Sequence, residues 1–161
     1  HFEPGDKRKE RWIGSFSDGV NTWYFPFKYK QKVPTSASVE YSVVMRLAEL
    51  YLVRSEARAN LNNLTGAIND LDKLRLRSEL PLISDTSPGI NKEEILLLIE
   101  RERRSELFTE NHRWYDLIRT GQADVVMAAV KTSWQATDIL FPLPESELLI
   151  NPLLQPQNPG Y

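Results

Sequence analysis

The chain has 161 residues, a formal net charge of −2, 26% charged residues and no cysteine. That length suits one domain with a buried core, and the lack of thiols excludes disulfides, cysteine nucleophiles and cysteine metal sites. The charge balance gives no long-range attraction for nucleic acid phosphates, and no apolar run nears the roughly 20 residues needed to cross a bilayer.

Two histidines, one of them the terminal His1, leave little for histidine-based metal or triad chemistry. Glycine-rich phosphate loops, zinc spacings and calcium loops are absent, so no cofactor and no metal are expected. The chain opens at His1 with no signal peptide, and reads as part of a longer protein.

Residues 1–43 read as an irregular, aromatic loop region, holding nine of the 16 aromatic residues. Gly5, Gly14, Gly19, Pro26 and Pro34 interrupt regular structure there. Trp23–Lys30 alternates imperfectly and reads as a short strand, and Lys32–Ser38 as a connector. Trp12, Trp23 and Tyr24 are the candidate ligand-binding residues. Flat aromatic faces bury the apolar C–H face of a sugar ring, and loops on a rigid base carry such rings well. The competing reading covers the helices with the same rings.

Residues 44–121 form the helical core. Val44, Leu47, Ala48, Tyr51, Leu52, Ser55 and Ala59 follow i, i+3, i+4 spacing along one helical stripe. Asn60–Asn63 breaks it. A second helix runs from about Thr65, with Leu64, Ala67, Ile68, Leu71, Leu74 and Ser78 inward, and Pro81 closes it. Such a helical hairpin is similar to one tetratricopeptide-type repeat, with Ala48 and Ala67 small enough for close contact. A third helix starts after Asn91, with Glu94 completing a capping box. Its stripe passes from Ile95, Leu98 and Ile99 into Glu102 and Glu106. A fourth helix carries Trp114, Leu117 and Ile118 and ends at a left-handed cap on Gly121.

Glu102, Glu106 and Glu110 recur at i, i+4 steps. As an acid/base pair they would have to flank a sugar from two sides, which successive turns of one helix do not achieve. The preferred reading is an internal ion-pair network with arginines such as Arg46, Arg54, Arg75 or Arg113, and no catalytic residue is assigned. In the HRWYDLIRTG segment, Asp116 and Arg119 pair locally and Trp114 joins the core. Residues 122–161 form a loop and a proline-rich strap. Pro144 starts one helical turn over Glu145–Ile150. Leu140, Phe141, Leu143, Leu148, Leu149 and Leu153 are expected to pack the strap on the helices.

Together, MRLAELYLVRSEARANLN, the ERRSEL segment, HRWYDLIRTG and the LFPLPESELLINPLLQPQNPGY ending resemble the C-terminal part of the SusD/RagB family. The GDKR segment at Gly5–Arg8 and the Lys28-Tyr29 pair add weaker support, and Pro156 departs by one proline from the family's closing motif. The resemblance implies an all-α, tetratricopeptide-like fold and one C-terminal domain over residues 1–161. It also implies non-catalytic binding of an oligosaccharide or similar nutrient at the bacterial surface. The implied partners are a glycan and a TonB-dependent outer-membrane transporter, with a lipid anchor in the part preceding His1. A tetratricopeptide-like scaffold for protein partners, without sugar binding, is the alternative.

Overall fold

The computed structural model describes residues 2–31, 33, 36, 37, 39–41 and 43–161. It divides into two compact units, residues 1–112 and 113–161, a division that falls inside the stretch read from the sequence as one helical core. The predicted all-helical class holds, with one two-stranded sheet added to it among the described residues. The connector predicted over Lys32–Ser38 lies largely outside the described residues.

The first unit opens with α1, Lys7–Trp12. Asp6 caps it by accepting the backbone N–H of Arg8 at 2.9 Å. Two strands follow, β1 at Ile13–Ser17 and β2 at Thr22–Pro26, paired antiparallel with Phe16 opposite Trp23 and Ser15 opposite Tyr24. The expected loop region is therefore a helical turn and a hairpin. Asp18 closes the hairpin by accepting the N–H groups of Val20 at 2.9 Å and Asn21 at 2.7 Å, a side-chain-capped turn.

The helical hairpin is α2, Leu47–Asn60, and α3, Leu64–Arg77. Asn62 takes the left-handed turn conformation at φ 59°, and Asn63 caps α3 by accepting the N–H of Gly66 at 3.0 Å. Ser55, Ala59 and Ala67 are small and fully buried, and Ser55 Oγ donates to the Ala67 carbonyl at 2.8 Å. The helices thus approach through their small residues. Val44 and Leu47 begin the predicted stripe but lie exposed, Val44 ahead of α2 and Leu47 at its first position.

After a single turn, α4 at Ile83–Thr86, comes α5 at Lys92–Glu106. Buried Asp72 of α3 takes the place of a cap for α4, accepting the N–H of Ile83 at 2.7 Å and of Ser84 at 3.1 Å. The Asn91/Glu94 capping box at α5 is complete in both directions. Ile95 and Ile99 enter the same core as Leu52, Leu71 and Leu74. Each such side chain contributes about 1.5–3 kcal/mol on burial, which drives three helices into one layer-on-layer packing.

The second unit contains most of α6, His112–Arg119, followed by α7, Ala123–Val130. Gly121 sits at φ 67° and its N–H reaches the Ile118 carbonyl at 3.1 Å, the left-handed stop the sequence foretells. Trp114 meets Trp134 and Phe141 edge-on at 6.1 and 6.4 Å. The turn at Glu145–Ile150 forms as expected and is named α8.

The strap is not held by apolar burial as expected, since Leu149 and Leu153 are 76% and 92% exposed. Polar bonds tie it instead. Gln157 accepts the N–H of Leu143 at 2.7 Å and donates to its carbonyl at 2.9 Å. Asn158 donates to the Phe141 carbonyl at 2.7 Å, and Tyr161 Oη to the Leu140 carbonyl at 2.9 Å. Gly160, at φ 98°, lies against Thr137 so closely that a Cβ would meet Oγ1 at 2.6 Å. The closing motif is a fold-back held by side-chain amides.

Candidate functional site

The carboxylates of α5 form a buried ion-pair cluster, as the ion-pair reading requires. Arg8 is held by Asp6 at 2.8 Å, by Glu102, and by Glu106 at 3.0 Å. Arg75 grips Glu3 through two bonds of 2.8 and 3.0 Å and approaches Glu102 at 3.6 Å. Glu106 also receives Arg46 and Arg77. Glu110 lies beyond the end of α5, yet joins through Arg46 at 2.9 Å and through Lys28. Arg54 belongs elsewhere, bonded with Arg58 to Asp70. Arg113 lies in the second unit.

Burial raises the Glu106 carboxyl, but hydrogen bonds from Arg77 and Arg46 overcome this and bring it to about 2. At Glu102 burial prevails over Arg8 and Arg75, so its pKa rises. Burial also lowers Lys28, against the pull of Glu110. Both central glutamates are essentially sealed from solvent. Without a path to substrate, they cannot act as an acid/base pair. Their position gives them another role. The cluster draws together α1, Lys28 two residues beyond β2, the end of α3 and the end of α5, so the hairpin is clamped to the helical core.

The three candidate ligand residues occupy three different settings. Trp12 ends α1 half-buried, with the Lys28 ammonium 4.0 Å above its ring, a cation–π contact that covers one face. Trp23 and Tyr24 are neighbours on β2, so they point to opposite faces of the hairpin. Tyr24 is 72% exposed and borders an open cleft of about 540 Å³ with Phe2, Pro4, Lys9, Ile13 and Ser15. Trp23 instead stacks on Phe16 across the strands. Phe16 is absent from the sequence-derived candidates because only the hairpin brings it against Trp23. The signal for that hairpin is the Asp18-Gly19 pair, which favours a tight turn.

Lys28 donates to the Glu106 carbonyl at 2.6 Å, which ties it to the cluster. In the second unit Arg119 Nε meets Asp116 at 2.8 Å, the local pair anticipated from their spacing. Among the described residues, no cluster of His, Asp and Glu is arranged to hold a metal ion.

The SusD family model matches residues 8–161. The chain belongs to the SusD family. It is 36% identical over 137 residues to SusD-like protein P38 of Formosa agariphila, covering 81% of this chain and 27% of that protein. With SusD-like protein P2 of the same organism it shares 34% over 134 residues, 74% of this chain and 26% of that one. A solved laminarin-binding SusD-like protein matches with a TM-score of 0.70 and 30% identity, covering 98% of this chain and 36% of its own. A SusD superfamily protein from Bacteroides vulgatus matches in fold, at TM-score 0.75 and 22% identity over 97% of this chain and 40% of its own. This SusD-family chain spans about a quarter of the length of the curated relatives it matches.

Proposed function

We propose that the protein containing this SusD-family chain captures an oligosaccharide or similar nutrient at the bacterial surface, without chemistry. It then hands the ligand to a TonB-dependent outer-membrane transporter, held at the membrane by a lipid anchor outside this chain. We also propose that residues 1–161 serve as one C-terminal domain of that protein. The observation that carries the reading is the likeness to a laminarin-binding SusD-like protein over 98% of this chain. Exposed rings on a clamped hairpin add support, because a rigidly held aromatic is what a sugar face needs. The sealed, charge-compensated glutamates support binding without catalysis.

The scaffold reading has one observation in its favour. Leu47, Leu50 and Val53 lie exposed along the outside of α2, an apolar strip suited to a protein surface. Delivery to a transporter is tested by isolating the tagged full-length protein from solubilised outer membranes. A TonB-dependent transporter should co-purify in near-equal amount. Recovery of the protein alone would remove delivery from the account.

A further inference from the structure

We infer that Phe16 and Trp23 together form a stacking site for a neutral β-linked glucan, on the hairpin face opposite Tyr24. The inference rests on the glycan-binding reading and adds to it a specific site, a new residue and a substrate class. The two rings lie directly across the strands, near-parallel, with centroids 5.9 Å apart and planes inclined by 26°. They nevertheless remain 63% and 49% exposed. Each ring holds the other in place, so little side-chain freedom is lost when a sugar lands on the pair.

The support beneath them is equally fixed. Asp18 closes the turn through two backbone N–H groups. At the other end, the N–H of Phe27 donates to the Trp12 carbonyl at 2.7 Å, and the Lys28 ammonium donates to the Glu106 carbonyl at the end of α5.

Charge and shape select the ligand. Neither β1 nor β2 contains a charged residue. The turn carries the Asp18 carboxylate, kept ionised by its bonds to the backbone of Asn21 and Val20. A negative charge beside an otherwise neutral face disfavours sulfated or uronic glycans and leaves neutral ones. A glucose ring with equatorial hydroxyls exposes C–H groups on both flat faces, whereas an axial hydroxyl interrupts one of them. In a β-1,3-linked chain both bonds to each ring are equatorial, so the flat faces stay open to the paired rings.

The test is titration of the full-length protein with laminarihexaose by calorimetry, alongside Trp23→Ala, Phe16→Leu and Trp23→Phe. Both ring-removing variants should bind about tenfold more weakly, while Trp23→Phe keeps near wild-type affinity and all keep the wild-type helical circular dichroism. An alginate oligosaccharide should bind at least tenfold more weakly than laminarihexaose. Should Trp23→Ala fail to fold, Phe16→Leu, which preserves apolar bulk, decides the matter. Wild-type affinity in the ring-removing variants overturns the stacking site and leaves the glycan reading standing. Failure of the wild type to bind laminarihexaose overturns the glucan assignment, and failure on a wider panel of neutral glycans overturns the reading beneath it.

Discussion

Replacing Glu106 by alanine should lower the melting temperature by roughly 10 °C. The carboxylate is sealed in the protein and receives Arg8, Arg46 and Arg77. Removing it leaves buried cations short of a partner, a loss of about 3–5 kcal/mol for such clusters, and each kcal/mol moves a domain of this size by about 2–4 °C. The three cations do not suffer equally. Arg77 is half exposed and turns to water, while Arg8 is only 4% exposed and keeps Asp6 and Glu102. Arg46 retains Glu110. Thermal unfolding followed by circular dichroism reads the effect. An unchanged curve would mean that the cluster is solvated, since exposed pairs contribute about 0–1 kcal/mol.

Acid should remove the same stabilisation in the wild type. The Glu106 carboxyl is held at about 2 against an ordinary 4.5. A depressed carboxyl stabilises the fold fully above its unfolded value and loses that contribution as pH falls toward its folded value. The window is therefore about pH 4.5 down to 2, and the difference is roughly 3 kcal/mol. Glu102 works with opposite sign, because its raised pKa favours the protonated form in the folded state. Denaturant unfolding at several pH values, for wild type and Glu106→Gln, separates the two. The advantage of the wild type should shrink steadily below pH 4.5. A constant difference down to pH 3 would show that Glu106 is not held ionised by its arginines.

What the sequence reveals follows the reach of the interactions. The Asn91/Glu94 box and the Gly121 cap are local, so spacing alone identifies them. The inward stripe of α3 is legible because burial imposes helical periodicity on Leu64, Ala67, Ile68, Leu71 and Leu74. Glu102 and Glu106 on the apolar face of α5 announce a buried ion-pair cluster, because a buried carboxylate must be compensated. Their partner Arg8 is not legible, being brought from the far end of the chain by the capped turn at Asp6. Gly14 and Pro26 hide the hairpin, since in sequence they read as interruptions. Strand register is needed to join Trp23 with Phe16. The helix α7 is equally hidden, because its run from Ala123 to Val130 is apolar on nearly every side and shows no helical period.

The clamped cluster and the exposed rings belong to one account: charge compensation fixes the hairpin, and the fixed hairpin keeps its aromatic surface open to solvent. The most direct test combines binding and turnover in one measurement. The full-length protein is titrated with neutral oligosaccharides in a calorimeter, and the same samples are assayed for new reducing ends after prolonged incubation. The account predicts saturable binding with the oligosaccharide recovered intact. Release of reducing ends, or the absence of binding to any neutral oligosaccharide, would contradict it.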